Sequence, residues 1–198
     1  MNRTQMTRIK RIFTDKYLSV LSCRIRIVRA ISSFILCSLF FILHSSAQET
    51  DYKSYTLFVY NFMKYIEWPE AQSKGDFVLG VYGESPMMKE LQTLAAAKKL
   101  KGRTIVVKKI SSDAEAEGCH LVYVVPSKSA AVKIFSESSK GKAVLIVAER
   151  EGLAKKGAGL SFVTMEDDQL KFDINKAVIE KHNLKIPQAL ITLGLVVG

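Results

Sequence analysis

The sequence is poor in the residues that most often carry chemistry. Its 198 residues hold only three cysteines, three histidines and one tryptophan. Cys23, Cys37 and His44 fall in the first 47 residues, which leaves Cys119, His120, His182 and Trp68 for the remainder. A single cysteine there excludes an internal disulfide. Cys119 and His120 are adjacent in an apolar run, and neighbours on a strand point to opposite faces, so they do not share a metal. With nothing nearby to favour a thiolate, Cys119 reads as a small apolar residue. Glu166-Asp167-Asp168 lacks the alternating ligand spacing of a calcium loop and reads as a solvated turn. No serine sits in a Gly-x-Ser-x-Gly elbow, and GVYGES at 80–85 has too few glycines for a dinucleotide fingerprint. The expectation is a protein without catalytic activity, metal or cofactor.

Charge is unevenly spread. Eight of the 29 basic residues but only one of the 19 acids, Asp15, lie within residues 1–47, so the overall +10 falls to +3 beyond them. A nucleic-acid-binding domain would keep its basic excess in the folded part, so that class is set aside. The basic stretch runs into AISSFILCSLFFIL, residues 30–43, and then His44-Ser45-Ser46-Ala47. Basic, apolar and small-residue regions in that order describe a secretory signal peptide, here expected to be cleaved after Ala47. The competing reading is an uncleaved anchor, but the apolar run is short of the roughly 20 residues that a span needs. Residues 48–198 are then one exported domain, long enough to build its own core.

Within that domain, apolar runs at 76–83, 103–110, 119–126 and 142–149 read as strands. Between them lie helical stretches. One runs from Tyr55 to about Glu67, where Trp68-Pro69 stops it. Another opens at Ser85-Pro86 and continues to Leu100 before Gly102, and a third follows a Ser127 cap. LSFVTM and QLKFDI, joined by the acidic turn, read as a β-hairpin, and AVIEKHN and PQALITLGLVV read as closing helices. Strands alternating with helices predict a three-layer α/β sandwich: a mainly parallel sheet, an antiparallel hairpin at its C-terminal edge and helices on both faces.

The first helix contains YNFMKYIEWPE, residues 60–70. On a helical wheel Phe58, Val59, Phe62, Met63, Tyr65 and Ile66 form the apolar face, with Tyr60, Lys64 and Glu67 opposite. Asn61 borders that face beside Lys64 and Leu57, and Trp68 continues the flank. Asn61 either ties the helix to the sheet or faces a ligand or partner.

The same stretch resembles the opening of the YfiR-like family of periplasmic signalling repressors, with aromatic-x-x-Asn-Phe-x-Lys-aromatic-x-x-Trp-Pro. The likeness continues through Gly102-Arg103, Cys119-His120 and Phe172-x-Ile174-Asn175 to the end of the chain. It implies an α/β sandwich that is exported, forms homodimers and has no catalytic role. It also implies a membrane partner, a diguanylate cyclase held inactive through its periplasmic part, and an outer-membrane lipoprotein that relieves the restraint. Cyclic-di-GMP, exopolysaccharide and biofilm formation are the outputs. Asn61, Lys64, Trp68 and Asn175 match the family signature and are the candidate ligand, partner or structural residues. The chain departs from the pattern in its lone Cys119, in Ser161 where asparagine is frequent, and in Pro187 where serine is. The alternative function is a periplasmic small-molecule sensor module, serving a histidine kinase, with Asn61, Lys64, Trp68 and the Gly83–Ser85 turn as its site.

Overall fold

The computed structural model describes residues 50–198. The expected signal peptide and its cleavage point lie outside them. Seven strands form one sheet: β1 (Phe77–Tyr82), β2 (Ile105–Ile110), β3 (Leu121–Val124), β4 (Leu145–Ala148), β5 (Leu160–Thr164), β6 (Leu170–Ile174) and β7 (Leu195–Val196). Their order across the sheet is β2-β1-β3-β4-β5-β6-β7. Every neighbouring pair is parallel except β5–β6, the expected hairpin, in which Phe162 faces Phe172.

The middle of the sheet is buried on both sides. β3 (LVYV) and β4 (LIVA) have no exposed residue, as expected of parallel strands covered by helices on each face. Alternate side chains divide into two cores. One holds Phe77, Leu79, Tyr123, Val147, Phe162 and Phe172 beneath α1 (Tyr52–Tyr65) and α2 (Met87–Ala97). The other holds Val122, Val124, Ile146 and Ala148 beneath α3 (Val132–Ser138) and the loop around Leu153. This is the three-layer α/β arrangement that the alternation of elements predicts.

α1 enters through Asp51, whose carboxylate accepts from the Lys53 amide at 3.2 Å, and closes at Ile66, whose extended backbone leads into Pro69. Val59, Phe62, Met63 and Ile66 are completely or almost completely buried, as the wheel predicts. Two aromatic assignments change. Tyr65 is 41% exposed rather than on the core face. Tyr60, expected outside, is partly buried, with its hydroxyl donating to the Lys99 carbonyl at 3.2 Å. The cause is α2. It packs along the flank of α1 that carries Thr56 and Tyr60, where Thr56 meets Met87, and leaves the Tyr65 side open.

Four boundaries also differ. α2 stops at Ala97 because Leu100 is drawn into the core, where it bridges to Arg103 through a turn at Lys101-Gly102. Ser127 does not cap a helix; Pro126–Ala131 is a 3-10 turn, with Ser129 Oγ donating to the Pro126 carbonyl at 2.7 Å, and α3 begins only at Val132. The second closing helix, expected over PQALITLGLVV, does not run to the end of that stretch. α4 (Lys176–Lys181) and α5 (Gln188–Ile191) are short, and Leu195–Val196 instead adds β7 beside β6. That strand, rather than the hairpin, forms the C-terminal edge. Gly194 permits it: a Cβ there would lie 2.5 Å from the Phe172 ring and 2.7 Å from Ile174.

Candidate functional site

The sequence candidates do not converge. Asn61 and Lys64 are exposed on α1, and the Asn61 side chain makes no hydrogen bond among the described residues. With Leu57 (54% exposed) and Tyr65 they form a stripe spaced at i, i+4, i+7 and i+8 along the outer surface of α1. The Lys64 ammonium lies 5.2 Å from the Tyr65 ring centre.

Trp68 lies at the N-terminal end of the parallel strands. Its Nε1 donates to the His120 carbonyl at 3.3 Å, and its ring meets Phe77 edge-on at 5.1 Å. The His120 ring stacks on Phe77 at 4.7 Å, and the Arg103 guanidinium sits 5.5 Å from the Phe77 centre. Arg103 donates to the carbonyls of Lys74, Gly75 and Asp76, closing the turn before β1. His120 Nδ1 accepts the Val78 amide at 3.1 Å, and Nε2 lies between the Gln72 carbonyl at 3.1 Å and the Arg103 Nη2 at 3.0 Å. Burial pushes the imidazole below its ordinary value, and the Arg103 charge adds to the effect. Three segments of the family-like signature, Trp-Pro, Gly-Arg and Cys-His, thus meet in one brace.

The Gly83–Ser85 turn lies at the opposite end of β1. Ser85 Oγ accepts the Met87 amide at 3.2 Å, while Gly83 has a left-handed φ of 104° and its hydrogen faces Val125 too closely for a Cβ. The length of a six-residue strand, about 16–20 Å by its rise per residue, separates this turn from Trp68. Asn175 is elsewhere again. Its Oδ1 caps α4 by accepting the Val178 amide at 3.1 Å, and its Nδ2 donates to the Ala154 carbonyl at 2.8 Å. Ser161 Oγ accepts the Ala154 amide at 3.0 Å, so both residues fasten the 150–158 loop to the sheet. Cys119 is buried on the α3 side, and burial raises its thiol pKa. Its chain neighbour His120 stacks on Phe77 in the opposite core, so a thiolate–imidazole pair does not assemble.

Two features were missed in the sequence. The first is Glu149, 8% exposed just beyond β4. Tyr123 donates to Oε2 at 2.9 Å and Tyr52 to Oε1 at 3.2 Å. Burial raises the carboxyl above its ordinary 4.5, against the pull of the two phenols. Burial also holds the Tyr123 phenol well above its ordinary value, and the Glu149 charge adds to this. The folded state therefore keeps the Glu149 proton to higher pH than the unfolded state. The stabilisation from this group is complete below 4.5 and is lost as pH rises through the folded value. Glu149→Gln removes that loss. The melting-temperature advantage of wild type over the variant is expected to shrink steadily as pH rises from 4.5; an advantage constant with pH would contradict this assignment. The second missed feature is a cleft between α3 and the 150–157 loop, rimmed by Lys133, Arg150, Lys155 and Lys156. The only signal was the cluster of charges in EREGLAKKG at 149–157, which follows the fourth strand.

Among the described residues no group of three or more His, Cys, Asp or Glu side chains is placed to hold a metal ion, and no helix is long and apolar enough to cross a membrane. Such a fold, with Trp68, Arg103, Ser161 and Asn175 occupied in internal bracing, is an α/β scaffold. The family model described as YfiR/HmsC-like matches residues 52–194, and the chain belongs to that family. This is a family of periplasmic regulators of cyclic-di-GMP signalling, not of catalysts, and it implies interaction with a membrane signalling protein. No curated protein matches the sequence.

Proposed function

We propose that this chain is exported after cleavage behind Ala47 and, without catalysing a reaction, binds and restrains the periplasmic part of a membrane-bound diguanylate cyclase. The observation that carries this reading is the family match across essentially the whole described domain. The outer stripe of α1, Leu57-Asn61-Lys64-Tyr65, is the contact surface in this reading: apolar surface flanked by an amide and a cation, none of it needed for the core. A second copy of the chain and an outer-membrane lipoprotein are the further partners in this scheme.

Crosslinking in the native envelope, followed by co-purification, tests it. The wild-type protein is expected to recover a diguanylate cyclase, and Leu57→Asp/Lys64→Glu to recover at least tenfold less while remaining folded, as for substitutions at a central contact. Recovery of no membrane protein would reject the proposal, and recovery of a histidine kinase would replace the partner class. Intact mass of the exported product checks the leader: mass matching the uncleaved chain would refute cleavage.

A further inference from the structure

The cleft beside α3 has a composition that the fold does not explain. It measures about 700 Å³, within the ~300–1,000 Å³ typical of small-molecule sites. Lys133 projects from α3 on one wall, and Arg150, Lys155 and Lys156 come from the loop on the other. None of the four takes part in an ion pair among the described residues, where the pairs are Lys109–Glu84, Lys140–Glu137, Lys142–Glu117 and Lys176–Glu180. Two acids also line the cleft, Glu137 and Glu151, and Glu137 is already engaged by Lys140. The rim therefore holds four cations against two carboxylates.

The base of the cleft is built rather than incidental. Val132 and Leu153 are buried and give it an apolar floor, beside Ser136. The loop is held to α3 at close range: a Cβ on Gly157 would lie 3.0 Å from Ser136. From behind, Asn175 and Ser161 grip Ala154 through its carbonyl and its amide. The three loop cations are thus carried on an anchored turn that lines the same cleft as Lys133; Glu137 offsets part of the charge of Lys133 and Asp173 part of that of Lys155, and the remaining excess is open to a ligand.

We propose that this cleft binds a small multivalent anion, a phosphate ester or a polycarboxylate, whose charged groups meet Arg150, Lys155, Lys156 and Lys133 while its carbon skeleton rests on Val132 and Leu153. Arg150 supplies a planar fork for two oxygens, and the lysines supply point charges. A concave site bounded on two sides favours a compact ligand over an extended acidic chain. The site lies apart from the α1 stripe, so it stands whether or not that stripe docks a partner.

The test uses protein purified from its native host, with pyrophosphate, citrate and a polyglutamate peptide as separate calorimetric titrants at low ionic strength. Arg150→Gln/Lys155→Gln/Lys156→Gln is compared with Lys53→Gln/Lys89→Gln/Lys99→Gln, which removes equal charge from exposed positions elsewhere. Saturable binding of pyrophosphate or of citrate is expected, the stronger titrant fixing the phosphate or carboxylate class. The cleft variant is expected to weaken it at least tenfold and the control less than twofold, with added salt weakening it throughout. Both variants alter exposed side chains and are expected to melt as wild type does. Absence of saturable binding to either small anion, or equal weakening in both variants, would overturn the proposal. Binding of polyglutamate alone would overturn it in favour of an acidic segment of a protein partner.

Discussion

Phe62→Ala is expected to cost about 4 kcal/mol, the scale of a large aromatic removed from a tight core. For a domain of this size that is a fall of roughly 8–16 °C in melting temperature. Phe62 has no exposed surface and packs at 4.9 Å from Phe172, 5.8 Å from Phe162 and 6.3 Å from Phe58. It therefore joins α1 to both strands of the hairpin, and no single neighbour can fill its space. Asn61→Ala is the matched contrast. Asn61 faces solvent, and alanine is the better helix former, so stability should change by no more than about 0.5 kcal/mol and in the favourable direction. Thermal or denaturant unfolding of the two variants separates the structural half of the Asn-Phe pair from the half available for contact. A loss above about 1 kcal/mol at Asn61 would mean that it braces the helix after all.

The second large effect is at His182. The residue is 1% exposed at the C-terminal end of α4. Nδ1 lies 2.9 Å from the Val144 carbonyl, ahead of β4, and Nε2 lies 3.1 Å from the Ser136 carbonyl, in α3. One imidazole therefore spans three elements. His182→Ala opens a cavity and strips at least one of the two buried carbonyl oxygens of its side-chain donor, at about 2–4 kcal/mol. His182→Phe restores volume without the polar contacts. It is expected to remain at least about 1 kcal/mol below wild type in urea unfolding, the scale of an unsatisfied buried acceptor. Full recovery by phenylalanine would show that packing alone matters at this position.

These residues differ in how far the sequence discloses them. Phe62 announces itself through a local rule, since a 3.6-residue period places it opposite solvent whatever the partner strands are. The alternating strands and the Leu170-Phe172-Ile174 pattern of β6 are legible for the same reason. His182 is silent because its partners lie 38 and 46 residues away in sequence. Glu149 is equally silent, since its phenols come from residues 97 and 26 positions upstream. The cleft is formed only when α3 and the 150–157 loop are brought together. Tyr60 and Tyr65 exchanged environments because a helical wheel knows the face of α1 but not which flank α2 will cover. β7 was obscured by competition: PQALITLGLVV satisfies a helical reading, and the contact that favours an extended end is the fit of Gly194 over Phe172 and Ile174.

The outer strands of the sheet also bear on self-association. On one side β2 ends in Lys108-Lys109-Ile110, and charged side chains on an open strand discourage another chain from adding to it. On the other, β7 is only two residues long, too short a row of amides and carbonyls to template an added strand. The sheet is thus guarded at both margins against growth into fibrils or swapped ribbons. Contact with another protein is therefore expected through the side chains of its helices and loops rather than by strand addition, an association that closes instead of propagating.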